Sequence, residues 1–386
     1  MTAGVDVLIS GAGPVGASLV LALKQQGLQC RLLDAAPAPV QGDDRSLGLT
    51  SGTQRLLQQL GVWQHITQAE PIRALHISER GRFGHCHIQA ADHGLESMGA
   101  TVPAQQLHDA LHKALAAQGI EVLREQKVVS TEMHCAEQRA VTLASGECVH
   151  ARLLVGADGV KSSVRADLGI EVQLEDYGQV ALVSQFDAQR DPQGCAYERF
   201  AADGPLAVLP RGGQRVGSIW MVSTAQAAVL MNLDDEAYAQ AFQQAFGWRL
   251  GRLRSAAPRL QWPLRRLRAQ ALSAPRAVLL GNAATAFHPL AAQGFNLALR
   301  DVEALRLALQ GASDPGAPEL LRRWEQSRRA DHDRVERMTD GLVKVFTQRL
   351  PVLSQLRALG LAAMGLLEPA QARMVHDSAG VAEAQV

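Results

Sequence analysis

Val5-Asp6-Val7-Leu8-Ile9-Ser10-Gly11-Ala12-Gly13-Pro14-Val15-Gly16, with Asp34 a short distance on, is the stretch that decides the fold. A short apolar run ends in a glycine-rich turn and continues into the apolar helical stretch Ala17 to Leu23. Cys30 to Leu33 then reads as a second strand closing on Asp34. Strand, glycine turn, helix and strand in that order are the start of a βαβ unit. Gly11 permits the tight turn, Gly13 lets the backbone approach a pyrophosphate, and Gly16 allows close helix packing. The helix start at Pro14 and Val15 directs its positive end at phosphate charge. Asp34, at the end of the second strand, is placed to accept hydrogen bonds from a ribose, so the turn reads as a dinucleotide site.

Farther along, Leu107 to Gln118 has a helical pattern and leads into Ile120 to Leu123 and then alternating segments up to Val149. Arg152 to Val155 is another buried strand, opening onto Gly156-Ala157-Asp158-Gly159. Residues 176 to 265 read as strand-rich, with Gln179 to Phe186, Leu206 to Leu209 and Arg215 to Val222 separated by glycine turns. Ala277 to Leu280 is again a short buried strand, ending in Gly281-Asn282-Ala283-Ala284. Beyond Asn296 the pattern is helical to about Leu367. Three distant strand ends, near Ser10, Val155 and Leu280, thus carry glycine turns, and in an open parallel sheet ligands bind at such carboxyl ends. The expected class is α/β: a Rossmann-like dinucleotide-binding domain with an inserted β-sheet domain and a helical C-terminus.

Composition narrows the chemistry. The chain has 386 residues, 47% hydrophobic, with 38 basic against 38 acidic side chains. No global basic field exists to hold nucleic acid or an anionic membrane, so a polyanion must be bound by local geometry. Aromatics are only 4% of the chain, which predicts a core of Ala, Leu and Val and few stacking platforms for single strands. Cys30, Cys86, Cys135, Cys148 and Cys195 are odd in number and never spaced C-x-x-C, which argues against a disulfide framework and for a reducing, cytoplasmic setting. The N-terminus lacks the pattern of a signal peptide, and the longest apolar run, Ala358 to Leu367, is about half of the roughly 20 residues a membrane span requires.

The motifs beyond the first turn resemble a known family. Leu153-Leu154-Val155-Gly156-Ala157-Asp158-Gly159-Val160, with Ser162, Ser163 and Arg165, is similar to the FAD-contacting segment of the single-component flavoprotein aromatic hydroxylases. Gly281-Asn282 and the run His288-Pro289-Leu290-Ala291-Ala292-Gln293-Gly294-Phe295-Asn296-Leu297-Ala298-Leu299-Arg300-Asp301 resemble the segment that contacts ribityl and isoalloxazine in that family. Within it the chain most resembles the ubiquinone-biosynthesis branch, the UbiH-type 2-polyprenyl-6-methoxyphenol hydroxylases, through Glu198-Arg199-Phe200, Gly204 to Pro210, Phe246 to Gly251 and Asn282.

The resemblance implies an aromatic-hydroxylase fold, with residues 1–75, 101–175 and 270–320 binding FAD, 76–100 and 176–269 forming a β-rich substrate domain, and 321–386 a helical region. It implies Asp158, Gly159, Gly281 and Asn282 at the cofactor, Arg45 and Gln106 beside it, and the start of a helix at Gln293, Gly294, Phe295 and Asn296 facing the flavin. Helix-end amides there would stabilise the negative charge of reduced flavin by about 0.3–1 kcal/mol, up to about 2 when partly buried. His288 and Pro289 would line the flavin-side pocket. The implied reaction is hydroxylation of a polyprenylated methoxyphenol by a flavin C4a-hydroperoxide, with O2 as co-substrate and NAD(P)H or a separate reductase as electron donor. A multiprotein biosynthetic assembly or a peripheral inner-membrane contact is compatible with it, and nucleic acid is not. The chain departs from the family at Asp34, where Glu is commoner, and at Ala292 and Ala298, where Gly is usual.

Other readings stay open. A hydroxylase of a small soluble aromatic acid would need an arginine in its pocket, for which Arg211 or Arg215 is available. A non-oxygenating flavin oxidoreductase and a silent FAD-binding subunit share the fold. His85-Cys86-His87 with His93 suggests a metal, but no further ligand completes a set, and no metal is expected. Arg265, Arg266 and Arg268 read as a solvated basic edge.

Overall fold

The computed structural model describes residues 4–201, 204–255, 258–286, 293–347, 371, 372 and 375. Its first sheet is built around Val5–Ser10, whose apolar run is buried on both faces as a central parallel strand must be. The order is Ser273–Ala274, Ala277–Leu279, Cys148–Gly156, Val5–Ser10, Cys30–Leu33 and Val122–Leu123, and Val128–Cys135 with Gln138–Leu143 extends it as an antiparallel pair. The helix Pro14–Lys24 has Pro in its first turn and Lys at its last, as the helix dipole favours, and Gly16 to Leu23 are all buried. It lies between Ala104–Ala117 and Gln293–Leu309. A small sheet of Ser46–Thr50, Gly99–Pro103 and Glu70–Pro71 flanks this unit.

The second sheet has nine strands, in the order Thr285–Ala286, Leu260–Ala269, Val172–Ala188, Arg215–Ser223, Gly204–Pro210, Cys195–Ala201, Ala74–Glu79 and His85–Gln89, with Leu253–Ser255 also on Val172–Ala188. One face carries two helices, Thr224–Met231 and Asp235–Phe246, in the region expected to be strands. Ser223 and Asp234 cap them by accepting hydrogen bonds from the Gln226 and Ala237 amides. The core beneath them is not the aliphatic one that composition suggests: Phe186, Trp220, Tyr238, Phe242 and Phe246 are gathered there, Phe186 stacking on Phe242 at 4.5 Å. Few aromatics suffice because they are concentrated in one place.

The helix Pro318–Thr347 closes the two sheets together. Of the three arginines expected on a solvated edge, Arg265 is exposed as expected, and Arg266 and Arg268 are drawn partly inward by acids. Arg265 pairs with Asp176 at 3.3 Å and Arg266 with Glu175 at 3.1 Å, while Arg266 and Arg268 both clasp Glu336 of this helix. Glu336 is only 6% exposed and is the acid the two arginines share, so its loss would leave Arg266 with Glu175 alone and Arg268 with Asp333 alone. No helix among the described residues is long and apolar enough to cross a membrane. Replacing Glu336 by Ala is expected to lower stability by about 2–3 kcal/mol, somewhat below a fully buried pair because both arginines keep water contact; denaturant unfolding monitored by tryptophan fluorescence measures it.

Candidate functional site

Parallel register brings the separate turns together. Ser10 is level with both Leu33 and Gly156, and Gly156 is level with Leu279. Main-chain bonds carry the alignment one residue past the strand ends: Gly11 N donates to Leu33 O at 2.8 Å, Ala157 N to Ser10 O at 2.8 Å, and Leu280 N to Gly156 O at 2.9 Å. The turns at Gly11, Asp34, Ala157 and Gly281 therefore leave one sheet edge side by side.

Each glycine of the first turn is held for a different reason. Gly11 has φ +105°, and a Cβ there would lie 2.4 Å from Ala157 O. A Cβ on Gly16 would lie 1.9 Å from Gly11 O. At Gly13 a Cβ would meet nothing within 4 Å, so the space above it is open. Gly13 is the N-cap of Pro14–Lys24 and no side chain caps the helix, which leaves the Val15 and Gly16 amides without an intrahelical acceptor. Uncapped amides beneath open space are what a diphosphate requires.

Asp34 accepts from the Ala12 amide at 2.9 Å and the Ala36 amide at 2.8 Å, with Arg124 at 3.7 Å. It fixes the glycine turn while keeping lone pairs free for a ribose. Asp158 Oδ2 accepts from the Ser163 and Val164 amides at 2.9 and 3.2 Å; its Oδ1 is enclosed without a partner. A buried carboxylate oxygen of this kind awaits a donor, and with the open, uncapped first turn it fits a dinucleotide. Gly159 has φ +81° and open space where a side chain would be. Arg165, sequestered at 8% exposure, joins this turn to the third by donating to Val160 O and Ala283 O, both at 2.8 Å. Gly281, at φ +57°, sits against Val15, and Asn282 is exposed on the same short turn.

The remaining expected residues divide. Asn296 is 1% exposed and its side chain clamps the start of Gln293–Leu309 to the small sheet, accepting from Thr50 N at 3.0 Å and donating to Gly48 O at 2.8 Å. Gly294 is exposed with open space about it, and Phe295 packs on the main core. Gln293 begins the helix. Gln106 holds the loop at Thr67 and Gln68, whose amides both donate to its Oε1 at 3.0 Å. Ala298 is buried within the helix and is not among the residues at positive φ. His288, Pro289 and Ala292 lie outside the described residues.

Arg45 is oriented by Asp43, a neighbour outside every motif quoted above. Asp43 receives its Nε at 2.8 Å and Nη2 at 2.6 Å, with His108 at 3.8 Å. Burial opposes the Asp43 charge, but Arg45 and His108 outweigh it and hold the carboxyl well below the usual range. Arg45 then lies over the Trp262 ring at 4.8 Å, so it reaches from the start of the small sheet to the second. His76 joins His85 and His87 at ring distances of 5.4 and 5.9 Å, yet among the described residues no three ligands are placed to hold a metal. A second overlooked group is Glu198, in the Cys195–Ala201 strand. Its Oε1 is enclosed without a partner, and burial pushes its carboxyl up to about 8.

Comparison with known proteins follows the geometry. The family described as FAD binding domain matches residues 4–339. Ubiquinone hydroxylase UbiL of Rhodospirillum rubrum is 32% identical over 97% of this chain and 89% of its own. The 3-demethoxyubiquinol 3-hydroxylase of Escherichia coli is 32% identical over 93% and 94%. Among solved structures, p-nitrophenol 4-monooxygenase PnpA of Pseudomonas putida superposes with a TM-score of 0.79, covering 99% of this chain and 100% of its own at 15% identity. HpxO of Klebsiella pneumoniae, complexed with FAD and uric acid, gives 0.77 over 97% and 96% at 17%. These two share the fold.

The two inner glycines separate folding from binding. Gly16→Ala drives a Cβ into backbone and is expected to cost about 3 kcal/mol or more. Gly13→Val is expected to change stability by no more than about 1 kcal/mol while abolishing co-purified flavin, read from visible absorbance. Glu198 gives a pH signature. Its folded value of about 8 lies above the 4.5 of the free side chain, so the native state alone holds the proton between them. Stability therefore falls as pH rises through that window, and Glu198→Gln is expected to flatten this limb of the Tm-against-pH profile.

Proposed function

We propose, on the premise that this chain belongs to the FAD-binding family in which the ubiquinone hydroxylases sit, that it hydroxylates a prenylated methoxyphenol of ubiquinone biosynthesis. It is an FAD-dependent monooxygenase. The observation that carries the reading is the alignment of Ser10, Leu33, Gly156 and Leu279, which sets three glycine turns side by side at one sheet edge. FAD, when bound, supplies the redox and oxygen-activating chemistry. The protein has to bind it, orient it and keep water from the reacting ring.

In this reading the Gly13, Val15 and Gly16 amides hold the diphosphate, Asp34 the ribose, and Asp158 Oδ1 a hydroxyl of the cofactor. Gly281 and Asn282 face the ribityl chain, and the helix start at Gly294 faces the flavin. Residues 1–75, 101–175 and 270–320 serve the cofactor, and 76–100 and 176–269 wall the substrate. Electrons come from NAD(P)H or a reductase and oxygen from O2. A cytoplasmic protein meeting a lipid-tailed substrate through a peripheral membrane contact or a biosynthetic assembly fits this chemistry.

The small-acid reading loses support at its arginines. Arg211 donates to the Asp44 carbonyl at 3.2 Å and to Ser46 Oγ at 3.4 Å, and Arg215 is exposed at a strand end. Arg215 therefore faces solvent, and Arg211 spends its Nη1 on the segment that leads into the small sheet.

Anaerobic mixing with NADH or NADPH tests the donor: flavin bleaching that accelerates with a prenylated phenol supports direct reduction, and no bleaching with either points to a separate reductase. Removing one five-carbon prenyl unit from the substrate is expected to lower kcat/KM at least tenfold, since each buried CH2 contributes about 0.8 kcal/mol. Equal turnover of prenylated and unprenylated phenols would favour a small soluble substrate.

A further inference from the structure

The face of the second sheet turned away from its two helices carries an almost wholly apolar row. Ile77, Glu198, Ala207, Ile219, Val183 and Leu260 are cross-strand neighbours in that order. Glu198 is the one carboxyl among them, and its neighbours Ile77 and Ala207 are buried at 7% and 9% exposure. This face looks toward the cofactor elements. Two residues along from Ile219, a Cβ on Gly217 would lie 2.0 Å from Ser46 Oγ, and Trp262, two residues along from Leu260, supports Arg45.

An unpartnered carboxyl is a poor choice for such a row on grounds of stability. An aliphatic residue of similar volume would avoid burying a polar group without a partner. Among the described residues Glu198 Oε1 is enclosed with no donor or acceptor, while the residue as a whole is only partly buried. Local rules are broken in this way where a ligand completes the site.

We propose that Glu198 is the specificity-determining residue for the aromatic head of the substrate, hydrogen-bonding the hydroxyl of a neutral phenol and disfavouring a ring that bears a carboxylate. The inference rests on the hydroxylase reading above. An uncharged carboxyl offers one donor and one acceptor, the complement of a phenol hydroxyl. A ring carboxylate would instead need a cation; the row itself carries none, and Arg45 is already paired with Asp43. The reaction that supplies this substrate must then already have removed, or never installed, a ring carboxylate.

The test uses the FAD-loaded enzyme and follows perturbation of the flavin spectrum as ligand is added. The probes are 2-prenylphenol, its O-methyl ether and its para-carboxylate. The wild type is expected to bind the phenol at least tenfold more tightly than either analogue. In Glu198→Leu the preference for phenol over ether should collapse to within about twofold, with flavin content retained and Tm unchanged or higher. Glu198→Gln should keep the preference, because an amide also donates and accepts. An unaltered phenol-to-ether ratio in Glu198→Leu, and in Glu198→Ala should Leu displace flavin, overturns the assignment while leaving the hydroxylase reading intact. Failure of the wild type to bind or hydroxylate any prenylated phenol overturns both.

Discussion

The structure depends on the close approach of backbone to backbone at the first glycine turn. Gly11 lies where a Cβ would enter the Ala157 peptide, and Gly16 where a Cβ would enter the Gly11 carbonyl. Those contacts let the buried helix Pro14–Lys24 start directly over the ends of Val5–Ser10 and Cys148–Gly156. Every later feature of the cofactor site is referred to that edge. Asp34 ties the second strand to the turn, Arg165 ties the second turn to the third, and Asn296 fixes the following helix to the small sheet. A neutral chain can hold a doubly charged diphosphate by such means because oriented amides, rather than net charge, supply the field.

Much of this is legible in the sequence, where the physics is local. Val5–Ser10 and Cys30–Leu33 have the bounds that the largely apolar runs suggest, since central parallel strands bury both faces, with only Asp6 and Arg31 interrupting them. The helices Thr224–Met231 and Asp235–Phe246 were hidden inside a stretch of strand-like alternation; Ser223 and Asp234, each at the helix-capping position, were the available signals. What the sequence could not disclose is long-range pairing. Arg45 has Asp43 two residues away, but its place over Trp262 appears only in the fold, and Arg266 and Arg268 read as solvated until Glu336 arrives from a distant helix.

Glu198 illustrates the same limit from the other direction. In the sequence it stands beside Arg199, and nothing local says which of the two charged side chains turns inward. Register across several strands turns it inward, onto the face that meets the cofactor elements, and its lack of a partner becomes visible only then. The two sheets thus divide the work of a flavin hydroxylase. In the proposed reading one sheet edge holds the charged cofactor with backbone, and the second sheet offers a mostly apolar wall with few polar groups, which suits a neutral, greasy ring that must be held away from water.

The most direct measurement of the central claim is isotopic. The FAD-loaded protein is reduced in the presence of 2-prenylphenol, exposed to oxygen-18 gas in ordinary water, and the product analysed by mass spectrometry. The account predicts a singly hydroxylated phenol whose added oxygen carries the heavy label. A product whose new oxygen comes from water, or full reoxidation of the flavin to hydrogen peroxide with the phenol and its prenylated analogues unchanged, would contradict it.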